Sequence, residues 1–311
     1  MTQSRPFRIG TRASALALWQ AHTVRDRLIA THDLGSEDVE IVEVSTTGDR
    51  VLDRRLADVG GKGLFTKELE AALDAKEVDC AVHSLKDVPT FLPDGMVLAA
   101  YLEREDPRDA LILPGSGKLN DLPAGAKVGT ASLRREAILR TLRPDFDVVL
   151  LRGNVPTRVG KVKDGELDAA VLANAGLIRL GMTDDIAEVL SPDVFLPAVG
   201  QGIVAIEIRE DDARAQTMVG ALNVPESEVA AKAERAFLAR LDGSCRSPIA
   251  AHLTAEDGHF RFEGALMTPD GKERETVEKE GLVADAELAA TNAAQAILDR
   301  ASPTLLAVLE D

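Results

Sequence analysis

Between Gly129 and Lys163 eight basic residues stand against three acids in a chain that is otherwise acidic. Several of those arginines are electrostatically wrong for the helices they begin. The segment TASLRREAILRTL follows the strand-like AKVG and reads as a helix with Ser132 as N-cap, which puts Arg134 and Arg135 in its first turn. A cation there opposes the helix macrodipole at roughly 0.3–1 kcal/mol each. Arg152 ends the apolar run DVVLL, and Arg158 falls in the first turn of a second helix, behind Asn154 and Pro156. Both corners join a strand to a helix, where open α/β folds bind anions. A single arginine so placed reads as a solvated face; four at two equivalent corners predict a bound anion. Arg12, followed by Ser14 as N-cap, repeats the arrangement near the N-terminus, so the anion is expected to be gripped from two sides.

Two other stretches carry groups able to do covalent or proton chemistry. The loop HSLKDVP follows the strand-like DCAVH and delivers His83, Ser84, Lys86 and Asp87 to the carboxyl end of that strand. Asp87 is placed to move a proton and Lys86 to pair with an anionic group, although the same residues also make an ordinary turn. Cys245 lies in LDGSCRSP beside Arg246, a setting for an accessible thiolate, while an inert packing cysteine is the alternative. Cys80, inside its strand, reads as core. The pieces GGKGLF and GQG lack the spacing of a phosphate loop or a dinucleotide fingerprint.

The elements that must hold these residues alternate. FRIG, a helix from Leu16 to Ile29, VEIVEVS, a helix from Phe65 to Leu73, and DCAVHS predict a parallel sheet with helices on its faces. IGTRASAL resembles VGTASL, and EVDCAVHS resembles ELDAAVLA, in the same order. This repeat predicts two α/β lobes of similar topology around a ligand cleft. The first lobe is assigned to 1–102 plus 203–221, with GQGIVAIEIRE as a strand returning to it, and the second to 103–202. Between the repeats lies TTGDRVLDRRLADVGGKG, which reads as a lid or as a surface loop. From Asn223 and Pro225 the pattern changes to a helix, three strands separated by Asp257-Gly258 and Pro269-Asp270-Gly271, and a helix from Leu288 to Leu298. Residues 222–311 are therefore expected to form a third, α+β domain.

With a formal net charge of −16 and 3% aromatic residues, the chain offers neither a broad positive surface nor stacking platforms for nucleic acid. The start MTQSRPFRIG has no apolar signal region, and no apolar run approaches the ~20 residues that span a bilayer. The expectation is a cytoplasmic protein without membrane partners. Two distant cysteines without ligand spacing predict neither a disulfide framework nor a metal site.

Taken together, GTRASALALWQ, GGKGLFTKELE, DCAVHSLKDVP, EREDPRDA, GTASLRRE, LRGNVPTR, PAVGQG and GSCRSPI closely resemble the porphobilinogen deaminase (hydroxymethylbilane synthase) family, in order from Gly10 to Ile249. The resemblance implies a two-lobed, periplasmic-binding-protein-like α/β body with a C-terminal α+β domain, acting as a monomer. It implies a transferase of tetrapyrrole (haem and chlorophyll) biosynthesis. Four porphobilinogen molecules condense head to tail with loss of ammonia, and linear hydroxymethylbilane is released by hydrolysis. A dipyrromethane cofactor on a thioether to Cys245 is implied as well. Each pyrrole brings an acetate and a propionate, which suits Arg12, Arg134, Arg135, Arg152 and Arg158 as carboxylate partners, with Ser14 beside them. By similarity Lys62, Ser84, Lys86 and Ser132 bind cofactor or substrate, Asp87 is catalytic, and Gly200 and Gly202 lie at the interlobe crossing. Ser244 stands where a second glycine is frequent, Ser247 where a β-branched residue is usual, and Cys80 where an aliphatic one is. A non-catalytic two-lobed anion receptor, and a cysteine hydrolase pairing Cys245 with His83 or His252, are the competing readings.

Overall fold

The computed structural model describes residues 5–50, 63–243 and 247–310. Most of the expected lid with Lys62, and Ser244, Cys245 and Arg246, lie outside the described residues. The chain opens with alternating elements: β1 (Phe7–Thr11), α1 (Ala15–His32), β2 (Val39–Glu43), α2 (Thr47–Arg50), α3 (Lys67–Asp74), β3 (Cys80–Ser84) and β4 (Met96–Tyr101). A second series follows: β5 (Asp109–Ile112), β6 (Lys127–Thr130), α4 (Leu133–Leu142), β7 (Asp147–Leu150), α5 (Val155–Lys163), β8 (Ala169–Ala173), α6 (Asn174–Arg179) and β9 (Ile186–Val189). Then come β10 (Val204–Arg209), α7 (Ala213–Gly220), α8 (Pro225–Arg240), β11 (Ile249–Glu256), β12 (His259–Met267), β13 (Arg274–Leu282), α9 (Ala286–Arg300) and α10 (Pro303–Ala307). The expected helix starts are real caps. Ser14 accepts from the Ala17 amide, Ser132 from that of Arg135, and Asn154 from that of Thr157.

The two α/β sheets run β2-β1-β3-β10-β4 and β7-β6-β8-β5-β9. In each, four strands run the same way and one inserted strand is antiparallel to both neighbours: β10 between β3 and β4, and β5 between β8 and β9. The internal repeat is this shared topology. Its glycines have one reason in common, because a side chain at Gly10 would meet Val78 at 3.1 Å and one at Gly129 would meet Leu167 at 2.6 Å. The inserted β10 comes from beyond the whole second sheet, whereas β5 is the first strand of its own, so the backbone passes between the sheets twice.

β11, β12 and β13 form an antiparallel meander whose first turn places Asp257 and Gly258 at φ 50° and 77°. Its core joins Phe237 of α8 to Phe262, with ring centres 5.2 Å apart. The opposite face, through Ala250, Ala265 and Met267, packs on the second sheet's core with Val128, Ile138 and Phe195. Leu85, Tyr101, Ile203 and Ala205 carry the first sheet into the same core as α8 and α9. Where all three units meet, the buried Glu234 of α8 accepts from Arg104, the Gly200 amide and the Leu253 amide. Burial alone would raise its pKa, but Arg104 and His252 hold it down at about 2. Among the described residues no helix is long and apolar enough to cross a membrane.

Candidate active site

The carboxyl ends of β1, β3, β6 and β7 face a common cleft of about 660 Å³. Each strand end hands over a residue predicted from sequence: Arg12 after β1, Ser84, Lys86 and Asp87 after β3, Ser132 after β6, and Arg152 after β7. Ser14, Arg134, Arg135 and Arg158 line it too. The cleft therefore gathers all the expected site residues that are described. Of the two others, Lys62 and Cys245, the second has described neighbours that bear on it. Ser247 lines the cleft, and the carbonyl of Gly243 is held by the Thr90 hydroxyl at 2.6 Å.

The electrostatics of the cleft are those of crowded cations. Burial, then Arg135, push the Lys86 ammonium down to about 8, with Asp87 opposing. Burial, then Arg135 and Arg152, lower Arg158 to about 10, and Asp87 again opposes. Arg152 is lowered by burial and by Arg12, while the Arg12 guanidinium sits 4.0 Å from the centre of the Phe65 ring. Arg158 also donates to the carbonyl of Gly153 at 2.7 Å. Asp87 is thus a carboxylate amid cations that repel one another, and a polyanion in the cleft relieves that repulsion.

Arg134 and Arg135 need a correction. The first-turn argument finds its anion inside the protein: Asp109 at the head of β5, wholly buried, accepts from Arg134 Nη2 at 2.7 Å and from Arg135 Nη2 at 2.8 Å. Arg134 also donates to the Leu196 carbonyl and Arg135 to that of Val171. Burial would raise Asp109, but the two arginines and Gln201 depress it to about 2. The trio keeps one net positive charge on the cleft wall.

Asp109, Gln20, Gln201 and Arg235 were not singled out by sequence. Gln20 donates to the Ser84 hydroxyl at 2.8 Å, and Gln201 bridges Asp109 and the Pro107 carbonyl. Arg235, from the third domain, lines the cleft and donates to the carbonyls of Pro89 and Thr90. His83 is directed at Glu207, and His252 lies 3.7 Å from Glu234. Among the described residues no cluster could hold a metal ion.

Comparison with known proteins follows this geometry. A family model described as "Porphobilinogen deaminase, dipyromethane cofactor binding domain" matches residues 7–217, and one described as "Porphobilinogen deaminase, C-terminal domain" matches 229–299. The porphobilinogen deaminase of Nitrobacter winogradskyi is 55% identical over 293 residues, 94% of this chain and 93% of that protein. That of Paracoccus denitrificans is 50% identical over 296 residues, 95% of each. Among solved structures, a periplasmic binding protein of Salmonella typhimurium with high arginine specificity is 15% identical, covering 73% of this chain and 97% of that one, with a TM-score of 0.40.

Proposed function

The chain belongs to the porphobilinogen deaminase family, an enzyme family of tetrapyrrole synthesis with a dipyrromethane cofactor, and on that premise we propose how its residues divide the work. Arg12, Arg152, Arg158 and Lys86 hold the acetates and propionates of cofactor and growing chain, each charge-assisted bond contributing ~1.5–3 kcal/mol. The observation that carries this is that burial, and then neighbouring arginines, lower the pKa values of Lys86, Arg152 and Arg158, a cost to their charges that a polycarboxylate offsets. Arg134 and Arg135, with Asp109, supply a fixed positive wall, and the N-cap residues Ser14 and Ser132 line the same cleft. Ser84, turned by Gln20, and Lys62 complete the binding set.

The cleft fits the cofactor, being roomy, cationic and bordered by Ser247 beside the Cys245 loop. The group is joined by a thioether to Cys245. When bound, it supplies the pyrrole α-carbon to which the first substrate is joined. Asp87 accepts hydrogen bonds from pyrrole N–H groups, stabilises the positive charge left when the amine departs, and receives the α-proton of the attacking ring. The reading makes the enzyme a transferase that works as a cytoplasmic monomer. Intact mass of the denatured protein, with peptide mapping, tests it. An excess of two deaminated porphobilinogen units on Cys245 is expected. A chain that stays unmodified after incubation with porphobilinogen overturns the attachment.

A further inference from the structure

Beneath α3 lies a polar cluster that the chemistry of Asp87 leaves unused. Ala81 of β3 packs there with Leu69 and Leu73, so His83, two residues on, faces the same way. Ile206 and Ile208 of β10 enter the core on the other face, which turns Glu207 toward α3 as well. His83 Nε2 is 2.9 Å from Glu207 Oε2, and the two side chains are 3% and 0% exposed. His83 Nε2 and both Glu207 carboxylate oxygens have no hydrogen-bond partner of acceptable angle among the described residues. Buried polar groups in that condition are destabilising unless something else partners them. Glu70 faces the pair from α3, its pKa raised by burial and by Glu207, with Thr66 and His83 opposing. The charge of Glu207 also acts on Arg235 of α8, whose guanidinium donates to the carbonyls of Pro89 and Thr90.

A side chamber of about 50 Å³ touches this cluster, lined by Thr66, His83, Ser84 and Asp87 among others. It shares Arg12, Ser84 and Asp87 with the main cleft, and its volume admits about two to four water molecules. Asp87 therefore stands between substrate on one side and a water-sized space leading to the buried imidazole on the other.

We propose that His83 and Glu207, reached through water in this chamber, store the proton that Asp87 takes up in each addition. The inference rests on the deaminase reading. In one addition the methylene C–N bond breaks with its electron pair going to nitrogen, a C–C bond forms to the attacking α-carbon, and that carbon gives up a proton. Nitrogen and proton leave together as ammonium, so Asp87 must be emptied before the next unit binds. His83 accepts the proton from Asp87 and returns it through Asp87 to the amine of the next unit, while Glu207 stabilises the imidazolium. His83 acts through Asp87 and is a positioning residue.

The test uses His83→Gln and Glu207→Gln in cofactor-loaded enzyme, with loading checked by mass. The expected result is a kcat at least tenfold lower with KM within twofold, a shifted pH dependence of kcat, and partial rescue of His83→Gln by added imidazole. Folded, loaded variants whose kcat and pH profile stay within twofold of the parent overturn the proposal, whatever their melting temperature. If neither variant can be isolated, nitrogen-15 NMR of the parent's histidine rings decides. A buried ring whose protonation tracks the kcat profile supports the store, and one fixed in a single state from about pH 5 to 9 overturns it. A parent enzyme that leaves porphobilinogen unconsumed defeats the deaminase reading instead.

Discussion

Asp109 is one carboxylate holding two guanidinium groups, and its depressed pKa has a definite sign. The folded value of about 2 lies below the ordinary 3.8, so its stabilisation is complete above the ordinary value and lost as pH falls through the folded one. The shift corresponds to about 2–3 kcal/mol. Urea midpoints of the parent are expected to fall as pH is lowered from about 5 to 2. Asp109→Asn should start about 3–5 kcal/mol lower at pH 7, because Arg134 and Arg135 lose their counter-charge; a parental midpoint would refute this. Asp87→Ala, by contrast, should melt within a few degrees of the parent yet turn over 10²–10⁴-fold more slowly, and near-normal turnover would remove Asp87 from its role. At this scale the sequence reveals caps and corner cations, since Ser132 and its arginines are neighbours in the chain. It hides Asp109, whose partners lie 25 and 26 residues away and whose position at the head of DALI reads as an ordinary strand start.

The two backbone passages between the sheets are clasped to each other. Glu105 donates its amide to the Gly202 carbonyl at 3.0 Å, Gly202 has φ 91°, and a Cβ there would lie 2.3 Å from the Glu105 carbonyl oxygen. Gly202→Ala is therefore expected to cost about 3 kcal/mol, measured by chemical denaturation, and a loss below ~1 kcal/mol would show that the passages slide apart freely. The motif PAVGQG was placed at the crossing by family resemblance and not by any local pattern. What Gly202 accommodates was not legible either, since the obstructing carbonyl belongs to the other passage. Strands, helices and the Asp257-Gly258 turn were readable for the opposite reason: period, cap and turn chemistry are local.

Across the whole molecule, α1 of the first sheet and α6 of the second meet beside the cleft. There Arg179 lies 5.5 Å from the ring centre of Trp19, the single tryptophan of the chain, and donates to the Gly202 carbonyl. If the lobes part as the product lengthens, Trp19 emission should shift to the red on adding porphobilinogen and recover on release. Emission unchanged through turnover would place the motion elsewhere. The strand exchange reaches further, into the order in which the protein comes into being. Residues 109–189 hold every strand of the second sheet, whereas the first waits for β10, which seats between β3 and β4. On a translating ribosome the later lobe can close while the earlier one is still split. The N-terminal lobe must then spend part of synthesis with its central slot open, exposing strand edges that chaperones would be expected to guard.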